Sequence, residues 1–403
     1  MPLQNVVITG IGPVGAFGLG ADALTSALQA DTPLAQPATQ NAGLGLATEM
    51  ACEIPVDSFK IRDVVPKSHR KAIKVMCPDI ESALAATDAA IRHANLRTTT
   101  THPDEAPIPD PLRLGCQLGA GLIAADVEEL GGAMTVAAPE GVVDVQLWGR
   151  EGMERLTPLW MLKYLPNMPA CHVTIVHGAQ GPSNTMTCGE TGSMLAVTEA
   201  ARVIERGDAD ACLAGGTEDR IHPVQRMRQH LSERLGKGVP FKDTGAVPGE
   251  GGAVLIVESL EHATARSATI LARVTGIAGG QSPHCTRDGG VPKDDPSFAS
   301  VMERAMEDAG VSAQDIDEVI TSASGVNSDH AEQHAIASIL GWSAQDPRIT
   351  TPAKIFGNCG AGLGALVAST AVLRISQGQA QRVLAFVTGQ GGQHAALVLE
   401  ASA

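Results

Sequence analysis

Through most of its 403 residues the chain alternates short apolar runs of strand length with longer stretches whose apolar residues recur at helical spacing. That alternation predicts an α/β architecture with buried strands, because a strand covered on both faces reads as a continuous apolar run. Strands are predicted over 5–9, 114–118, 211–214, 253–257, 271–275, 318–322, 382–387 and 395–399. Helices are predicted near 21–30, 71–94, 124–133, 191–205, 297–309, 329–340 and 362–376. Segments 32–47, 97–111, 135–155 and 279–295, rich in Gly, Pro, Asp and Thr, read as surface loops rather than linkers between independent domains.

Composition excludes several functions. With 29 basic against 44 acidic residues the net charge is -15, which argues against nucleic acid or an anionic membrane as partner. Glycine is abundant (44) and aromatics make up 2%, as suits closely packed helix-on-sheet layers. The eight cysteines, at 52, 77, 116, 171, 188, 212, 285 and 359, include no C-x-x-C pair and do not cluster with histidine. Neither a zinc site nor a disulfide framework is indicated, and reduced core thiols are expected. No basic leader precedes an apolar stretch, and no apolar run is long enough to span a bilayer, so a cytoplasmic protein is expected.

Gly10-Ile11-Gly12-Pro13-Val14-Gly15 has the G-x-G-x-x-G spacing of a dinucleotide loop. A dinucleotide site also needs a second strand ending in an acidic residue about 20 positions on. Here Asp31 runs into a Pro-containing loop, so the glycines read as a tight strand-to-loop turn.

The run 181–197, GPSNTMTCGETGSMLAV, is followed by Arg206-Gly207-Asp208-Ala209-Asp210 and then Leu213-Ala214-Gly215-Gly216-Thr217-Glu218. Here the chain resembles the β-ketoacyl synthase family, in which a G-P segment leads through a short strand to a nucleophilic cysteine at the start of a buried helix. Further segments match in order: Val7 to Gly12, Leu165-Pro166-Asn167-Met168 before His172, Pro248 to Leu255, Glu332 with Ala335-Ile336, Lys354 before Gly357, and Gly391-Gly392. The resemblance covers essentially the whole chain. It implies a thiolase-like fold, five layers αβαβα built from two related halves, 1–258 and 259–403, with no cofactor and no metal.

Such a synthase needs a thiolate to accept the acyl chain and two histidines to drive decarboxylation of a malonyl unit. Counted from the flanking motifs, the cysteine position holds Glu190, and the two histidine positions hold Ser324 and Asn358. Three replacements at positions flanked by preserved motifs imply a chain that no longer condenses anything. In this the sequence resembles the chain length factors, the ketosynthase β subunits of type II polyketide synthases, although most of these carry glutamine where Glu190 stands.

That resemblance implies a heterodimer with an active ketosynthase α subunit, formed around the strand before Glu190, and encounter with an acyl carrier protein bearing the growing chain. It also implies a role in shaping the far end of the partner's acyl tunnel. The candidate wall follows Gly119-Ala120-Gly121 and comprises Leu122, Ala124, Ala125 and Glu128. Its small side chains, with the sparse aromatics, suggest a linear, polyene-type product.

Alternatives remain at this stage. Glu190 would assist malonyl decarboxylation in a starter-supplying enzyme, Cys188 would be the nucleophile of a homodimeric condensing enzyme, and a nicotinamide oxidoreductase comes last. Cys359, and His172, His177 and His394, read as packing residues. His330 and His334 lie four apart on a helix without an identifiable third metal ligand. The cluster Arg220, Arg226, Arg228, Arg234 and Lys237 is the one local excess of positive charge, either a solvated face or a contact for an acidic carrier protein.

Overall fold

A computed structural model describes residues 3, 5–39, 43–242, 244–286 and 290–402. Residues 40–42 and 287–289, within two of the predicted loops, lie outside the described residues. Ten strands build the core: β1 Val6–Gly15, β2 Leu114–Ala120, β3 Ser183–Met186, β4 Ala211–Asp219, β5 Glu250–Ser259, β6 Ala272–Gln281, β7 Glu318–Thr321, β8 Ile349–Thr350, β9 Arg382–Thr388 and β10 Gln393–Glu400. The helices of nine residues or more are α1 Ala21–Ala30, α2 Pro78–His93, α3 Val127–Ala137, α4 Met168–His177, α5 Gly192–Glu205, α6 Pro223–Leu231, α7 Pro296–Ala309, α8 Asp329–Leu340 and α9 Leu363–Ser376.

The first five strands lie in the order β3-β2-β4-β5-β1, and the last five in the order β8-β7-β9-β10-β6. In each set the first three are mutually parallel and the last two antiparallel to their neighbours. The same path is thus traced twice, a duplication that sequence periodicity did not reveal. The sets join through a two-pair contact of β1 with β6, Val7 opposite Arg273 and Ile8 opposite Ala272.

Side-chain alternation along the strands produces the layers. On β5, Ala253, Leu255 and Val257 enter a central core with Met194 and Val197 of α5 and Leu366 and Val367 of α9. Val254 and Ile256, between them, face an outer core with Leu84 and Ile91 of α2 and Val173 of α4. On β10, Leu397 and Leu399 join the central core, while Val398 packs with Phe298 and Met302 of α7 and Ile336 of α8. Two sheets therefore enclose α5 and α9 and are covered outside by further helices, which is the five-layer thiolase-like arrangement. Each fully buried Leu, Ile or Phe contributes about 1.5–3 kcal/mol.

Several sequence expectations change in detail. The glycines at 10–15 do not turn: β1 runs straight through them. A Cβ on Gly12 would stand 1.9 Å from the Ala86 carbonyl oxygen, and one on Gly10 2.6 Å from that of Ala90. Those glycines let α2 lie directly on the strand, so the G-x-G spacing records helix-on-sheet packing. Helix α2 begins at Pro78 rather than near 71, with 67–75 forming a 3-10 segment, because proline fits the first turn and breaks a helix interior. Helix α3 begins at Val127, where the Asp126 carboxylate accepts from the N–H groups of Glu128 and Glu129, leaving Ala124 and Ala125 in the preceding loop. Strands β3 and β8 and helices α4 and α6 escaped the pattern reading. Both are short edge strands without a fully buried residue, and carry little apolar signal.

Candidate functional site

Glu190 sits in a 3-10 turn, Gly189–Thr191, that runs into α5. Its carboxylate is buried, 1% exposed, close to the positive end of the helix. Oε1 accepts from Arg220 Nη1 at 2.8 Å and Arg234 Nη2 at 3.0 Å, and Oε2 from the Gln390 N–H at 2.8 Å. Burial opposes the charge, but Arg220, Arg234 and the backbone N–H groups of Glu190 and Gln390 outweigh it and hold the carboxyl at about 2.

Arg220 carries the network on. Its Nη1 also donates to Asn358 Oδ1 at 3.1 Å, and Asn358 Nδ2 donates to Ser324 Oγ at 3.3 Å. Asn358 Oδ1 further accepts from the Gly360 N–H at 3.0 Å. Glu190, Asn358 and Ser324, from three separate loops, are therefore brought into one buried hydrogen-bonded chain through Arg220. On the far side of Arg220, Glu218 lies 3.5 Å from Nε and accepts from the Ala361 N–H at 2.6 Å. Burial raises the Glu218 pKa despite Arg220. Gly121 and Gly360 leave room for it, since a Cβ on either would stand within about 2 Å of its carboxyl.

Of the basic cluster, Arg220 and Arg234 are countercharges for Glu190, and Arg226 is fully buried, donating to the Thr48 carbonyl. The reading of this cluster as a solvated face or a carrier-protein patch is corrected for these three. For Arg220 and Arg234 the physical reason is that a buried carboxylate requires guanidinium partners. Arg228 and Lys237 remain exposed. The signal was present in the sequence, but the destination of the side chains was not.

Beneath Ser324, Asp329 Oδ2 accepts from the Gly325 N–H at 2.7 Å and the Phe241 N–H at 3.1 Å. Burial pushes the Asp329 carboxyl up to about 7, opposed by those backbone donors. Glu332 is pushed up by burial and by Asp329, and neither of its carboxyl oxygens has a partner among the described residues. Lys354 does not approach them: its Nζ lies 2.8 Å from Asp31 at the surface. It lies outside the site.

Cys359 is buried with its thiol pushed well up by burial, the state of an inert core cysteine. Cys188 is half-buried, and its carbonyl accepts from Thr191 Oγ1 at 2.7 Å. His177 and His394 are buried and pulled down to about 4 by desolvation, and His172 is lowered for the same reason. On α8, His330 is half-buried and His334 exposed. Among the described residues no group of three or more donors is arranged for a metal ion, and no helix is long and apolar enough to cross a membrane.

Leu122 lines a cavity of ≈ 380 Å³ that reaches Arg220, Gln225 and Arg228. Ala124 and Glu128 line a different and larger one, ≈ 800 Å³, with Asp79, Asp219 and Glu250. Ala125 lines neither. The four candidate wall residues thus divide between two spaces, a separation that linear proximity conceals.

Residues 3–263 match the N-terminal domain and residues 271–386 the C-terminal domain of β-ketoacyl synthases, and the chain belongs to the β-ketoacyl synthase family. It is 30% identical over 393 residues to 3-oxoacyl-[acyl-carrier-protein] synthase 2 of Rhizobium meliloti (strain 1021), covering 93% of this chain and 86% of that one. It is 27% identical over 390 residues to a putative polyketide beta-ketoacyl synthase 1 of Streptomyces halstedii, with the same coverage of each chain. Among solved structures, the ishigamide ketosynthase/chain length factor superposes with a TM-score of 0.82 at 22% identity, covering 99% of this chain and 100% of that one. A type II polyketide synthase acyl-carrier protein in complex with its ketosynthase, bound to the hexaketide, gives 0.78 at 22% identity with full coverage of both chains.

Proposed function

We propose that this chain is a non-catalytic chain length factor, which pairs with an active ketosynthase α subunit and shapes the end of its acyl tunnel. The observation that carries the reading is the state of Glu190. A carboxylate with a pKa of about 2 is a feeble nucleophile and base, and both its oxygens are occupied by Arg220, Arg234 and the Gln390 N–H. Ser324 and Asn358 can neither take up nor release a proton near neutral pH. The network replaces chemistry with a fixed, charge-balanced plug. A division of the halves at 258/259, where β5 gives way to the short helix Leu260–Ala265, belongs to the same proposal.

An unpaired outer edge on β3 and apolar side chains left in solvent support a partner on this side. Among the latter are Leu122 (50% exposed), Val127 (54%) and Val145 (77%). Co-expression with a chain of similar length that keeps the cysteine and both histidines should yield a stoichiometric complex. A stable, active monomer or homodimer of this chain alone would count against the reading. Within the complex, Ala124→Phe or Ala125→Phe should shorten the linear product, and unchanged product lengths would remove those residues from the wall. Incubation of the isolated chain with malonyl-loaded carrier protein should release no carbon dioxide above background; release abolished by Glu190→Ala would establish a decarboxylase instead.

A further inference from the structure

The larger cavity, ≈ 800 Å³, is lined by Asp79, Asp219 and Glu250, and each of these uses one carboxyl oxygen to hold the chain. Asp79 Oδ1 accepts from the Asp219 N–H at 3.1 Å, Asp219 Oδ1 from the N–H groups of Ile221 and His222 at 2.9 and 3.0 Å, and Glu250 Oε1 from the Ile54 N–H at 2.7 Å. The second oxygen of each receives no N–H or O–H hydrogen bond from another of the described residues. Asp79 is only 5% exposed, and its Oδ2 meets just the weak thiol donor of Cys77, 4.0 Å away. Lys163 is the one lysine or arginine among the described residues on this wall, and it is already paired with Glu129 at 3.0 Å.

Burial pushes all three carboxyls up, Glu250 to about 8, and the charges acting on Asp79 and Glu250 are those of other carboxyls. Glu190 in its own site is met by two guanidiniums, whereas here the fold sets three carboxyls around a space and supplies no cation. Leaving them so is costly.

The chemistry of the missing cation can be narrowed. No group of three or more donors is arranged for a metal ion among the described residues, so the free oxygens do not converge on one point. A primary ammonium carries three N–H donors and bonds to acceptors spread around it. Ile54, Met76 and Ile221 give the same wall an apolar part, against which methylenes can lie. The volume falls within the range of small-molecule sites.

We infer that this cavity binds a small aliphatic amine, whose NH₃⁺ group sits among Asp79, Asp219 and Glu250 while its methylenes cover Ile54, Met76 and Ile221. The site is separate from the Glu190 network, and the inference goes beyond the partner-subunit reading without resting on it.

Isothermal titration of the full chain, in the assembly in which it purifies, tests this with 1,5-diaminopentane as the probe at fixed ionic strength. Saturable binding of one molecule per chain is expected, and tetramethylammonium, which has no N–H, should fail to compete. Glu250→Gln and Asp219→Asn keep the oxygens that accept from the backbone, so the circular dichroism spectrum should not change. Each should weaken binding about tenfold, the usual worth of a hydrogen bond to a charged group. Glu140→Gln removes the same charge at an exposed position and should leave the affinity unaltered. Absence of saturable binding, equal competition by tetramethylammonium or magnesium ion, or an affinity that survives both cavity variants would overturn the inference.

Discussion

Replacing Glu190 with alanine removes the anion on which two buried guanidiniums converge. The side chains of Arg220 and Arg234 are 7% and 6% exposed, so water cannot take the carboxylate's place. Arg220 would keep Asn358 at 3.1 Å and Glu218 at 3.5 Å, but Arg234 would lose its only ion-pair partner among the described residues. Breaking one side of a buried pair costs about 3–5 kcal/mol. Linkage gives the same scale: moving the carboxyl from its ordinary 4.5 to about 2 corresponds to roughly 3 kcal/mol at neutral pH. Both figures describe the same ion pairs and do not add.

Urea unfolding of the purified chain followed by far-ultraviolet circular dichroism measures the loss, and hydrogen exchange across 188–195 localises it. Glu190→Gln should lose less, since its amide oxygen can still accept from both arginines while its NH₂ is left facing the Gln390 N–H. Pairing Glu190→Gln with Arg234→Met should cost less than the sum of the single changes, with a coupling of about 1–3 kcal/mol. A Glu190→Ala chain within about 0.5 kcal/mol of wild type would refute the plug, and would mean that the arginines are solvated or otherwise paired.

The pH profile carries two opposite signs. Glu190, depressed to about 2, contributes stability that is complete above about 4.5 and is lost as pH falls toward 2. Glu250 and Asp329, raised to about 8 and about 7 by burial, stay protonated when folded but ionise when unfolded, so stability should decline as pH rises from about 4 to 8. Glu250→Gln should flatten the upper part of that decline in thermal melts at pH 5 and pH 8, and an unaltered slope would remove Glu250 as its source. Gly12→Ala forces a Cβ to 1.9 Å from the Ala86 carbonyl oxygen and should destabilise the chain by about 3 kcal/mol in the same urea assay; an unchanged midpoint would show that α2 can retreat freely. Iodoacetamide on the native protein should label only the half-buried Cys171, Cys188 and Cys285, read by peptide mass mapping. Rapid labelling of Cys359 would contradict its burial.

The central strands and most of the helices were legible from local pattern alone, because strands buried on both faces leave continuous apolar runs, as at 253–257 and 395–399. The motif spacing likewise singled out Glu190, Ser324 and Asn358, which the fold joins through Arg220. Elements that bury few apolar residues left no such trace: β3 reads Ser-Asn-Thr-Met, and α6 buries its glutamines and Arg226. The glycines of β1 looked like a turn because close packing against a helix and a positive backbone angle make the same demand for a missing side chain.

Local composition could mark Arg220 and Arg234 as basic and Glu190 as acidic, but not join them. The pairs are 30 and 44 residues apart, and Arg220 and Asn358 are 138 apart. Their meeting depends on where β4 and the loops after it deliver their side chains, and burial then converts scattered charges into one network. Chain pattern encodes which faces must leave water; only the packed fold determines which charges are carried inside together, and hence that the Glu190 carboxylate is buried against two guanidiniums.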